Sequence, residues 1–177
     1  MKNYIILIAA ALTSAAFLTS CTKEQSTLTL DKIDGSATVT GTFTYDAGAT
    51  RSAGSDGTEV IIDSHFVPAA NQQVFVTVQN SEYISGQSGT SGYQTFSGTT
   101  DQDGNFSITV PVGYTTISAT VSAPSFIASK TVNVNGELIA VPNALYNSNT
   151  VHLTLANHYI YQANLQATST TEPSNNF

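Results

Sequence analysis

Asp101, Asp103 and Asn105 stand at alternate positions, a spacing that begins a calcium-binding loop. A loop of that kind needs glycine at its sixth position and a bidentate glutamate at its twelfth. Here Gly104 is fourth and Val112 is twelfth, so the expected structure is a β-turn whose Asp and Gly satisfy the backbone. His152 and His158 fall six residues apart on an expected strand. At ~3.3 Å per residue they share a face but stand about 20 Å apart, too far for one zinc ion. His65 is alone in an expected loop, and all three histidines read as solvent-facing. Ser88, in Gly86-Gln87-Ser88-Gly89, lacks the Gly-x-Ser-x-Gly elbow of a nucleophilic serine. No two acids read as a glycosidase pair. The chain is expected to be no enzyme and to hold no metal or cofactor. Tyr83, Tyr93, Tyr114 and Tyr146 lie in or beside expected loops and are candidate ligand contacts, their rings serving as platforms for a sugar. Packing at the corners of the fold is the competing role for the same four rings.

Cys21, the only cysteine, has a different setting. Met1-Lys2-Asn3 is a short basic start, and an apolar run rich in Ile, Leu and Ala extends from Tyr4 to Leu18. A basic start, an apolar run and small residues at a cleavage point make a secretory signal. Leu18-Thr19-Ser20-Cys21 resembles the lipobox of bacterial lipoproteins: an aliphatic residue, two small ones, then cysteine. The resemblance implies cleavage between Ser20 and Cys21 and lipid, palmitate included, carried at Cys21. The apolar run is short of the ~20 residues that span a bilayer comfortably. Residue 22 is Thr, not Asp, which disfavours retention in the inner membrane; Lys23-Glu24 loosely resembles the surface-export signal of Bacteroidota lipoproteins. The expected address is the outer membrane, with the cell surface and the periplasm both open as the facing side.

The elements beyond residue 21 are expected to be strands. Ala37, Val39, Phe43 and Tyr45 alternate with threonines over ten residues, the period of a half-buried strand. Ala47 to Gly57 reads as a small-residue loop, followed by a short strand at 59–63. Val74, Val76 and Val78 mark the next strand, and 80–92 is Ser/Gly-rich loop. The segment 93–99 is expected to pair with 106–110 through the turn at 101–105. Ile117, Ala119 and Val121 form another strand, and the row Phe126, Ala128, Val132, Val134 leads into the hairpin dipeptide Asn135-Gly136. Val151, Leu153, Leu155 and Tyr159 give the last strong face. Seven to eight strands with regular turn signals predict an all-β fold, an antiparallel β-sandwich in preference to a barrel. The expected organisation is a helical signal peptide over 1–20, a lipidated tether over 21–35, the sandwich over 36–166 and a flexible polar tail over 167–177.

Composition agrees. Charged residues are 10% of the chain against roughly 25% in ordinary soluble domains, and hydroxyl and amide side chains take their place. The formal charge is −7, more negative still once Lys2 leaves with the signal. Nucleic acid is therefore excluded as a partner, because phosphate binding needs a basic face.

Thr38-Val39-Thr40-Gly41-Thr42, Pro68-Ala69 with Gln73 to Val78, and the turn Thr99 to Ile108 are similar to segments of carboxypeptidase-regulatory-like domains, the turn matching their Thr-x-Asp-x-x-Gly-x-Phe pattern. Val110 to Tyr114 is similar to the segment that follows. The resemblance implies a transthyretin-like sandwich of non-catalytic character. The functional expectation is a structural or protein-interaction module in the cell envelope. A carbohydrate-binding module and a small fimbrial or adhesin subunit are the alternatives, the last with Arg51 as a processing site in a flexible loop.

Overall fold

A computed structural model describes residue 30 and residues 33–84 and 91–169. Ser20, Cys21, Ser88 and the signal segment lie outside the described residues, as does most of the tether. The fold is all-β and sandwich-like, as expected, with more strand segments than the seven to eight read from the sequence. Thirteen are described: β1 (Ser36–Asp46), β2 (Thr50–Ala53), β3 (Glu59–Ile62), β4 (Phe66–Pro68), β5 (Gln73–Gln79), β6 (Tyr93–Thr99), β7 (Asn105–Pro111), β8 (Ile117–Ser122), β9 (Phe126–Val134), β10 (Glu137–Ser148), β11 (Val151–Leu155), β12 (Ile160–Gln162) and β13 (Leu165–Ser169). One helical turn, α1 (Asn80–Tyr83), interrupts the series.

The first sheet is built on β1. Its sequence alternates small or apolar residues with threonine, so Ala37, Val39 and Phe43 are buried and the hydroxyls turn outward. Antiparallel to it on one side run β7 and then β4. On the other side β12 and then β13 run parallel to it. The two parallel segments are one run of chain in unbroken register, Thr40 opposite Gln162 and Phe43 opposite Leu165. Gly41 faces the changeover, where Ala163 donates to the Thr40 carbonyl over 2.8 Å and any Cβ at Gly41 would run into the Ala163 carbonyl. Antiparallel strands β10 and β9 complete the sheet beyond β13. Their hairpin turns at Asn135-Gly136, both at positive φ (53° and 87°), the primed turn that matches strand twist.

The second sheet has the order β11-β8-β5-β6, all antiparallel. Val74, Val76 and Val78 of β5, Ile117, Ala119 and Val121 of β8 and Leu155 of β11 pack against Val39, Ile108 and Val110 of the first sheet in one core. Burial of these side chains at roughly 25 cal/mol per Å² is the main source of the fold's stability.

Four features differ from the sequence reading. β6 does not pair with β7: it pairs with β5, while β7 pairs with β1, so the turn at 101–105 carries the chain from one sheet to the other. Thr100 is buried at that crossing. Its hydroxyl donates to the Ala69 carbonyl (2.5 Å) and accepts from the Gln72 amide (2.9 Å), pinning the two sheets' connections together. The stretch 47–57 is not simply a loop. Ala47 and Ala49 bond to Thr131 at the edge of β9, and β2 pairs with β3 beyond them. Tyr159 leaves the β11 face, because the strand ends at Leu155 and His158 turns with φ 66°. Residues 167–169 belong to β13 and not to the tail, since Ala167, Thr168 and Ser169 pair with Ser148, Asn147 and Tyr146.

Candidate functional site

The alternation that buries the valines of β5 turns Gln73, Phe75, Thr77 and Gln79 to the opposite face of the second sheet. Tyr93, Thr95, Ser97 and Thr99 of β6 lie on that same outer face, with Ser118, Thr120 and Ser122 of β8 and His152 and Thr154 of β11. Cross-strand registers place Thr95 opposite Thr77, Thr77 opposite Thr120, and Thr120 opposite His152. One row of three hydroxyls and an imidazole therefore crosses all four strands. Thr120 Oγ1 and His152 Nδ1 are hydrogen-bonded at 3.1 Å.

At one end of this face α1 folds over the sheet. Glu82 Oε2 accepts from the Ser118 amide at 2.8 Å, and Asn80 Oδ1 accepts from Gln94 Nε2 at 3.0 Å. The result is a concave patch of about 420 Å³ lined by Thr77, Gln79, Glu82, Tyr93, Thr120 and His152 among others. Its chemistry is that of neutral donors and acceptors, with a carboxylate whose charge is partly met by a backbone amide and one exposed aromatic ring. Such a surface can pair with polar backbone or hydroxyl groups. Among the described residues no group of three or more His, Cys, Asp or Glu could hold a metal ion.

The four candidate tyrosines separate. Tyr93 lines the patch and is 63% exposed. Tyr114 is 98% exposed in the loop between β7 and β8. Tyr83 packs its ring against the core, and its hydroxyl, buried, has no hydrogen-bond partner; burial pushes its pKa up to about 12. Tyr146 is not a ligand contact at all. It is fully buried, stacks on Phe126 at 5.3 Å and meets Tyr45 edge-on at 5.1 Å. Its hydroxyl donates to the Asp46 carbonyl at 2.9 Å, and burial, with Tyr45 and Asp46 nearby, raises its pKa to about 12.

The acidic turn is the β-turn expected of it, the Gly104 amide donating to the Asp101 carbonyl at 3.1 Å. Asp101 Oδ1 accepts from the amides of Asp103 (2.9 Å) and Asn105 (2.8 Å), which holds its carboxyl below the usual 3.8. Gly104, at φ 76°, sits under the Phe43 carbonyl, where a side chain would collide. His152 is solvent-facing as read, but His158 lies in a turn, so the two do not share a strand. Arg51 does not sit in a loop. It is in β2, with Nη1 3.2 Å from Glu59 Oε2 on the neighbouring strand. Sequence reasoning passed over Gln79, Thr120 and Thr154. All three are the outward half of alternations whose inward half was read, and that was the available signal.

Among the described residues no helix is long and apolar enough to cross a membrane. No protein-family model and no curated protein matches this chain.

Proposed function

We propose that the protein is a cell-envelope lipoprotein, anchored by lipid on Cys21 in the outer membrane, whose β-sandwich acts as a non-catalytic structural or interaction module. The observation that carries this reading is the hydroxyl and imidazole row on the outer face of the second sheet, flanked by Gln79, Glu82 and Tyr93. A face of neutral hydrogen-bonding groups in fixed register suits recognition of a partner's polar surface. The similarity of the turn at 99–108 to carboxypeptidase-regulatory-like domains supports the non-catalytic character.

Photo-crosslinking residues placed at Thr95 and Thr154 in living cells test the face. We expect discrete adducts from both positions, none from Ser129 on the first sheet, and loss of the adducts with Thr77→Arg. Equal labelling from Ser129, or none from the face, would refute the assignment. Acylation is tested separately by the mass of the mature N-terminus and its loss with Cys21→Ala. Protease treatment of intact cells distinguishes surface from periplasmic display. A glycan ligand is the second reading, favoured by the Tyr93 ring beside Gln79 and Glu82. Saturable binding of a neutral oligosaccharide, abolished by Tyr93→Ala, would establish it in place of a protein partner.

A further inference from the structure

The chain enters the sandwich at Gly35, and the registers show what surrounds that point. Gly35 accepts from the Val112 amide at 3.0 Å, and Ser36 pairs with Pro111, so the 112–116 loop borders the tether on one side. The Ser36 amide donates to Asn157 Oδ1, its carbonyl accepts from His158, and Thr38 donates to Tyr159, so 157–160 borders it on the other. Because β8 and β6 run antiparallel to β5, the start of β6 is at this end as well.

Here stand Tyr114 (98% exposed), Ile160 (75%), Tyr159 (64%) and Tyr93 (63%), the four most exposed large hydrophobic side chains of the described fold apart from Ile127. Charge is distributed the other way. Asp34 and Glu82 are the described acids at the tether end, and Glu82 is engaged by Ser118. Asp46, Asp56, Glu59, Asp63, Asp101, Asp103 and Glu137 lie toward the opposite end with the acidic turn and the two outer hairpins, as do Arg51, paired with Glu59, and Lys130, the described cations.

We infer that the tether end is a membrane seat: Tyr114, Tyr159 and Ile160, with Tyr93 at the rim, rest in the headgroup region of the bilayer that holds the lipid anchor. This rests on the reading of Cys21 as the acylated residue. The fourteen residue-to-residue steps from Cys21 to Gly35 can extend to about 45–50 Å, so the anchor alone does not force contact. The ring of side chains supplies the reason for it. Tyrosine, with an apolar body and a polar tip, favours the membrane–water interface. The acids are held away from an anionic leaflet in the same orientation. The outer face of the second sheet then stands upright on the membrane, open to neighbours in the same envelope.

The test uses the full chain, processed and reconstituted into phosphatidylethanolamine–phosphatidylglycerol vesicles. Acylation of Cys21 leaves no free thiol, so a spin label can be attached through Thr115→Cys, beside Tyr114, or through Ser55→Cys at the distal hairpin. We expect the ratio of oxygen to water-soluble nickel-chelate collisions to be several-fold higher at 115 than at 55. Tyr114→Ser with Tyr159→Ser should bring the two ratios together while the protein still floats with the vesicles. Equal ratios in the unaltered, lipidated and floating protein overturn the seat and leave the anchor standing. An unacylated Cys21 with no flotation overturns both. Shielding of the 115 label by a soluble oligosaccharide and not by the bilayer overturns the seat and makes this end a sugar site.

Discussion

Replacing Thr100 by valine keeps its shape and deletes its hydroxyl, at the one buried polar residue among those described. That hydroxyl serves two backbone groups from the connection between β4 and β5, the Ala69 carbonyl and the Gln72 amide. Both would be left without it in a closed site. An orphaned buried polar group costs about 1–3 kcal/mol, so Thr100→Val should cost roughly 2–4 kcal/mol. Serine keeps the hydroxyl and loses one methyl, at about 1 kcal/mol. Thr99→Val, one residue away but outward-facing, should stay within ~0.5 kcal/mol of the parent. Urea unfolding followed by far-ultraviolet circular dichroism reads all three. With a slope near 1.5 kcal/mol/M, the valine variant's midpoint should fall by about 2 M. The ordering is diagnostic. Thr100→Val as stable as the parent, or Thr100→Ser the worse of the two, would refute the claim that this hydroxyl locks the crossing between sheets.

Three further outcomes follow from the geometry. Gly41→Ala should destabilise by about 1–3 kcal/mol or more in the same assay, because its methyl meets the Ala163 carbonyl and the Phe106 ring at the β12–β13 changeover. Tyr146→Phe should cost about 1 kcal/mol at neutral pH by removing the bond to Asp46. It should also flatten the alkaline limb of the stability curve. A tyrosine whose folded pKa is raised from 10 to about 12 contributes stability that is complete below pH 10 and lost as pH rises toward 12. Asp101→Asn should remove part of the acid dependence. Its carboxyl titrates lower in the folded chain than the usual 3.8, so its contribution is present above that value and disappears as pH falls through the folded pKa. A pH series of urea midpoints checks both.

Strand existence was legible wherever one face is buried and the other wet. Val74, Val76 and Val78, and Ile117, Ala119 and Val121, declare their phase at every second residue. Partnership was not legible, because alternation specifies a face and not a neighbour. The turn at 101–105 has the residues of a hairpin, yet Thr100, drawn inward to Ala69 and Gln72, redirects the chain to the other sheet. Nor does local pattern announce that β1 has four neighbours, two of them more than 120 residues away. The length of β10 was hidden for a different reason. Its register shifts between Val141 and Ala144, where Pro142 has no amide and Asn143 adopts φ 60°, and one extra residue inverts the phase of the alternation.

That inversion decides the fate of the tyrosines, and with it how much of the site could be read. Tyr146 is followed by Asn147, Ser148 and Asn149, polar company that suggests a loop. Beyond the bulge, however, it shares its phase with buried Ala144 and so enters the core beside Phe126. Tyr114 continues the phase of buried Ile108, Val110 and Val112, but β7 ends at Pro111, and beyond the strand that phase no longer holds a side chain inward. Two residues of one type and similar sequence surroundings thus end in opposite places. The ring that closes the core is fixed by strand phase; at the tether end Tyr93 is turned outward by the phase of β6, while Tyr114 and Tyr159 lie outside the strands. Tyr159 rests beside the Tyr161 ring at 6.5 Å, but the size of Tyr114, 98% exposed, is not accounted for by packing within the fold. Under the proposed anchoring its reason lies in what it would touch, the bilayer being then the nearest apolar phase at this end of the molecule.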